Sequence, residues 1–147
     1  MSGKSMTDSV NDAVDMTVLS GLEGAQVDGE PDLIVELIDL YLEDTPRRLA
    51  AMSALLEQRD ALSLRRAAHG LKGSSATLGA ARTARLCEAV EEMSQDGSLA
   101  AVATLLDGLE QEFAHVRQSF LNERRKRTNK ELAQTCLPCA TQLLTGT

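Results

Sequence analysis

AAHGLKGSSATLGA, residues Ala67 to Ala80, places a histidine inside a run whose apolar spacing suits an α-helix. Wound at about 100° per residue, Leu64, Ala67, Ala68, Ser75 and Leu78 fall within about 60° of Leu71 and form one apolar stripe. His69 points about 160° away, sharing the outer face with Arg65, Lys72, Gly73 and Ala76. The histidine is therefore expected at the surface, where a core histidine would not lie. Gly70 and Gly73 each cost a helix roughly 0.8–1 kcal/mol relative to alanine. Two such costs beside an exposed imidazole imply that something must come close to it.

These residues resemble the signature of the histidine-containing phosphotransfer (HPt) domain of bacterial and plant phosphorelays, roughly A-H-x-L-K-G-S-S-x-x-L-G. The matching positions are Ala68, His69, Leu71, Lys72, Gly73, Ser74, Ser75, Leu78 and Gly79. Upstream, LIVELIDLYLEDTPRRLAAM resembles the family's second helix with its acidic-Thr-Pro step, and downstream LCEAVEEMSQDG resembles its Cys-containing helix. The similarity runs from Asp15 to Asn122. It implies a bundle that carries a phosphoryl group on His69, received from an aspartyl-phosphate on a response-regulator receiver domain and passed to a second receiver.

Composition points the same way independently. A chain of 147 residues is one domain's worth, and 43% hydrophobic content supplies a single core. Aromatics are 2% with no Trp, so the core must be built from Leu, Ala, Val, Ile and Met. Scarce aromatic and β-branched residues favour helices on helices over a sheet. No run reaches the ~18 apolar residues of a membrane span. The amino terminus lacks the basic-then-apolar pattern of a signal peptide. Three cysteines form no obvious disulfide framework, so a cytoplasmic protein without a membrane partner is expected.

The net charge of −7 is uneven: residues 121–147 carry Arg124, Arg125, Lys126, Arg127 and Lys130 against two acids, and the remainder is strongly acidic. An acidic body argues against nucleic acid, whose affinity depends on cations meeting phosphates. The basic run reads as a solvated helix end that favours the C-terminal dipole.

In chain order, residues 1–14 read as a flexible leader, 15–122 as the bundle domain, and 123–147 as a basic, then Cys-containing tail, disordered or partly helical. Asp15 can cap a short helix through Gly24, with Met16, Leu19 and Leu22 inward. Pro31 suits the first turn of the next helix. Apolar residues recur from Leu33 to Leu42 and again from Leu49 to Leu56; between them Thr45-Pro46 either kinks one helix or starts another. Asp60 is a candidate N-cap for the histidine helix, which Gly79 ends or bends. A helix from Ala80 to Ser94 follows, with Leu86, Ala89, Val90 and Met93 on one face, and Gly97 closes it. After a Ser98 cap, Leu99, Val102, Leu106, Leu109, Phe113, Val116 and Phe120 alternate by three and four, which suits a long groove-lying helix. The expected fold is all-α: an up-down four-helix bundle with a short extra N-terminal helix, monomeric.

Imidazole fits a phosphoryl carrier because it is partly neutral near pH 7. One ring N–H must be held while the other lone pair faces the incoming group. The resemblance assigns the holding acceptor to Glu91, where several relatives have Gln. A carboxylate makes the imidazole more basic, and Lys72 is placed to offset that and to pair with phosphoryl oxygens. Ser74 and Ser75 can donate to a helix carbonyl or phosphate, although the inward Ser75 reads first as a small packing residue. Arg65, Arg66, Gly73 and Ala76, with Arg82 and Arg85 on the next helix, form the expected partner face, where basic charge attracts a receiver's acidic pocket.

No phosphate loop, nucleotide fingerprint or clustered metal-binding Asp is present, so the chain is read as a carrier and not an enzyme, with no cofactor of its own. Magnesium would come with the receiver, and partners are receivers, a hybrid histidine kinase, or both. His115 reads as a bystander, Cys87 as core filler, and Cys136-x-x-Cys139 as too isolated for a metal or redox site. The rival readings are a helical adaptor that binds receivers without carrying phosphate, which leaves Gly70 and Gly73 without a reason, and a kinase dimerisation bundle, which would need an ATP-binding domain.

Overall fold

The computed structural model describes residues 13–146, with side chains as far as residue 130. Its helices are α1 (Met16–Gly21), continued by a 3-10 turn (Leu22–Ala25), then α2 (Leu33–Glu57), α3 (Ala61–Thr77), α4 (Ala81–Asp96) and α5 (Leu99–Gly146). No strand occurs among the described residues. α2 packs on α3, α3 on α4, α4 on α5, and α5 back on α2, with the α3–α4 pairing the most extensive. Connections of two or three residues join the four long helices in sequence, which makes neighbours antiparallel. The result is the up-down four-helix bundle expected from the sequence, with α1 as the extra helix.

Local chemistry sets most of the boundaries. Asp15 accepts the Thr17 N–H at 2.9 Å, Asp60 accepts that of Ser63 at 3.1 Å, and Gly97 ends α4 in the left-handed region. α2 starts at Leu33, two residues after Pro31. Asp32 accepts the N–H groups of Ile34 and Val35 and takes the N-cap, leaving Pro31 outside the helix. Pro46 lies inside α2, which runs unbroken. Proline removes one backbone donor, but Pro46 is on the exposed side while Tyr41, Thr45, Leu49 and Met52 continue the buried stripe across it. Burial on both sides of the proline keeps the helix together.

The core holds Ile34, Ile38, Met52, Leu64, Leu71, Val90, Val102, Leu109, Val116 and Phe120, all essentially inaccessible. Each such large side chain stabilises the fold by about 1.5–3 kcal/mol. Tyr41 meets Phe120 edge-on, with ring centroids 5.4 Å apart, and Phe113 at 6.3 Å. These three are the only aromatic residues in the chain. The Tyr41 hydroxyl is 2.8 Å from Ser75 Oγ, so Ser75 joins α3 to α2 by a buried hydrogen bond in addition to packing.

The amino-terminal end departs from expectation in two ways. Ala13 and Val14, grouped above with the leader, are buried in the core, and of the α1 side chains only Leu19 is fully inside. Met16 is largely exposed and Leu22 half-buried. A backbone hydrogen bond and ion pairs from α5 hold this segment. The Asp15 N–H donates to the Gly79 carbonyl at 2.7 Å, just past α3. From α5, Arg127 reaches Glu23 at 2.7 Å, Asp32 at 3.3 Å and Glu123 at 2.8 Å, while Arg124 meets Asp39 at 2.7 Å. Part of the basic run is thus a clamp between α5 and the start of the chain, and not a solvated helix end.

Gly79 is constrained twice. Its φ is +85°, and a Cβ there would stand 2.6 Å from the Asp15 carbonyl oxygen. Gly97 has a similar φ of +80° but open space around the missing Cβ. Gly97→Ala should therefore cost about 1–2 kcal/mol, the left-handed backbone penalty alone. Gly79→Ala adds a backbone collision and should cost about 3 kcal/mol or more. Urea unfolding of both variants measures the difference; equal losses would mean that α1 does not press on Gly79.

Candidate functional site

α3 presents the two faces that its spacing requires. Leu64, Ala68, Leu71, Ser75 and Leu78 are buried, Ala67 is half-buried, and His69 stands on the outside with 71% of its side chain exposed. The ring leans toward α4, where Nδ1 lies 2.9 Å from Glu91 Oε2. The other carboxylate oxygen of Glu91 lies 2.7 Å from Lys72 Nζ, an ion pair closed across the α3–α4 seam. Because His69 and Lys72 are three residues apart, they rise from neighbouring positions on α3 and meet the same carboxylate.

Glu91 is only 15% exposed. Burial pushes its carboxyl up, but the Lys72 ammonium and the His69 imidazole outweigh this and hold it below the ordinary carboxylate value. The same contact raises Lys72. An ionised Glu91 is an acceptor only, so in the neutral imidazole Nδ1 carries the proton and Nε2 keeps a free lone pair on the exposed side of the ring. The site therefore offers one oriented nucleophilic nitrogen at the surface. The Lys72 ammonium is drawn to Glu91, the carboxylate whose effect on the imidazole it is placed to offset.

The two glycines of α3 have different surroundings. Nothing lies within 4 Å of a Cβ built on Gly73, whereas a Cβ on Gly70 would stand 2.8 Å from Arg48 Nη1. Arg48 comes from α2, its Nε paired with Asp44 one turn before. Ser74 donates to the Gly70 carbonyl at 3.3 Å, and Thr77 to that of Gly73 at 2.9 Å. Arg65, Arg66, Gly73, Ala76 and Arg85 are exposed. Arg82 is engaged with Glu112 of α5 at 3.7 Å.

Sequence reasoning missed two partners of this helix. The Tyr41–Ser75 bond had no local signal. For Arg48 the signal was Gly70 itself, a second unexplained glycine next to the histidine. Cys87 is buried one turn before Glu91, and burial pushes its thiol up to about 12, so it stays protonated core filler. His115 sits beside Glu112 on α5, diagonally across the bundle from α3. Cys136 and Cys139 lie outside the described side chains, and no cluster able to hold a metal ion occurs among the described residues.

This geometry can be compared with known proteins. The Hpt domain family model matches residues 36–119. Histidine-containing phosphotransfer protein 5 of Arabidopsis thaliana is 33% identical over 76 residues, covering 50% of this chain and 48% of that protein. The chain thus spans about half the length of that curated relative. Among solved structures, histidine-containing phosphotransfer protein B from Pseudomonas aeruginosa superimposes with a TM-score of 0.71 at 34% identity, covering 78% of this chain and 96% of that one. The maize histidine-containing phosphotransfer protein gives 0.70 at 25% identity, with 84% and 99% covered. Its outward histidine, the bundle around it and the match over more than half its length place the chain in the Hpt domain family.

Proposed function

We propose that the chain is a phosphorelay intermediate that takes a phosphoryl group onto His69 from a receiver-domain aspartyl-phosphate and delivers it to another receiver. The observation that carries this reading is the 2.9 Å contact of Nδ1 with Glu91, which leaves Nε2 free and exposed. In the transfer, the Nε2 lone pair attacks phosphorus in line. The N–P bond forms as the P–O bond to the partner's aspartyl carboxylate breaks, and that carboxylate leaves with the electron pair. The Nδ1 proton stays in its hydrogen bond to Glu91. Phosphoryl transfer depends on positioning and on charge stabilisation, and in this reading the receiver supplies the magnesium and the acidic pocket. The adaptor alternative gives no reason to orient an imidazole in this way. Cytoplasmic location and a monomeric state complete the proposal; no described helix is long and apolar enough to cross a membrane.

His69→Gln should leave the helical circular dichroism and unfolding midpoint nearly unchanged, within about 0.5 kcal/mol, because the side chain is exposed. Incubation with a phosphorylated receiver should then give no acid-labile, base-stable phosphate. Label retained by the variant would move the assignment elsewhere.

Gly73 faces open space, so its smallness serves an incoming partner and not the bundle. Gly73→Ala should raise stability by up to about 1 kcal/mol, and Gly73→Leu should fold yet slow transfer from a receiver. Transfer by Gly73→Leu at the wild-type rate would remove the docking role.

Arg65 and Arg66 are exposed beside the histidine in an otherwise acidic body. Reversing both to Glu should slow transfer at low ionic strength. The deficit should shrink as salt brings the screening length to about 10 Å or less. A double variant indistinguishable from wild type at low salt would leave recognition to the small and apolar residues.

A further inference from the structure

The cation expected to meet the phosphoryl group already has its charge offset. Lys72 Nζ lies 2.7 Å from Glu91, so a phosphoryl group would have to share it with that carboxylate. A second cation lies against α3 from the side of α2. Arg48 lies against the backbone at Gly70, the residue that follows His69, so closely that a single added carbon would meet Nη1 at 2.8 Å. Consecutive residues on a helix differ by about 1.5 Å along the axis, so this guanidinium meets α3 within one turn of His69. Asp44 holds only its Nε. Among the described residues no hydrogen bond engages the two Nη groups, and they form the flat fork that suits phosphate oxygens.

We propose that Arg48, held by Asp44 and admitted by Gly70, is the cation that pairs with the phosphoryl group on His69, in place of a Lys72 neutralised by Glu91. Gly70 and Gly73 then divide the work: one makes room for the protein's own guanidinium, and the other for the partner. The carboxylate at position 91 both orients His69 and draws the Lys72 charge to itself, and an arginine from α2 makes up the loss. The proposal rests on the phosphocarrier reading above.

A small-molecule donor tests it without a protein partner. Potassium phosphoramidate transfers its phosphoryl group to imidazole: the N–P bond to the ring forms, the bond to the amino group breaks, and ammonia leaves. Labelling rates of wild type, Arg48→Ala, Arg48→Lys, Gly70→Ala and Lys72→Gln are followed by intact mass, with unfolding midpoints recorded in parallel. Arg48→Ala should label about tenfold more slowly, with Arg48→Lys intermediate. Gly70→Ala should also slow labelling although every charge remains, because its methyl displaces the guanidinium; a purely structural arginine would not produce this. Lys72→Gln should lose less than Arg48→Ala. Wild-type labelling by Arg48→Ala, or a larger loss in Lys72→Gln, overturns the assignment of Arg48 and leaves the carrier reading standing. Absence of label on wild-type His69 under conditions that phosphorylate free imidazole overturns the carrier reading itself.

Discussion

A carboxylate taken largely out of water needs compensating donors, and at Glu91 these are an ammonium and an imidazole from the neighbouring helix. That requirement joins the chemistry to the packing. α3 and α4 must meet in the register that brings positions 69 and 72 opposite position 91, and their extensive contact secures it. Unpairing either donor would leave a poorly solvated negative charge, so the imidazole is held by an interaction the fold itself cannot easily give up. The orientation of the reactive nitrogen follows from the stability of the seam, and no separate rigid pocket is needed. This suits a group that works at an exposed surface, where a partner supplies the remaining walls.

Much of this was legible in the sequence because it is local. The outward angle of His69 depends only on helical periodicity, and Asp15, Asp60 and Gly97 act as caps through atoms a few residues away. Where two local devices competed, the reading went astray: Pro31 is compatible with a first turn, but two accepted N–H groups give Asp32 the cap. Pro46 could not be settled locally, since proline suits either a kink or a start. Tertiary burial of Thr45 and Leu49 decides for one helix. The role of Glu91 came from family resemblance, because a contact spanning 22 positions depends on how two helices are rotated about their axes.

The same reason hid Arg48, Arg127 and the Tyr41–Ser75 bond, which all bridge elements distant in sequence. Gly70 was the nearest to a legible sign. Its propensity cost is visible in one dimension, but the guanidinium that fills the space belongs to another helix. For Lys72, spacing says that it can meet its neighbours on α3 and α4, and charge balance selects Glu91 among them.

The clamp at Arg127 bears on where this folding unit ends. Arg127 lies eight positions beyond the segment matched by the family model, yet it neutralises Glu23 and Asp32 before that segment begins. A boundary drawn by family similarity would remove all three charges, and with them the ties between α5 and the segment that leads into α2. An electrostatic seam of the bundle therefore lies outside its recognisable motif. Engineers who transplant the module into a chimera would need to carry both flanks, or replace both, as one inseparable part.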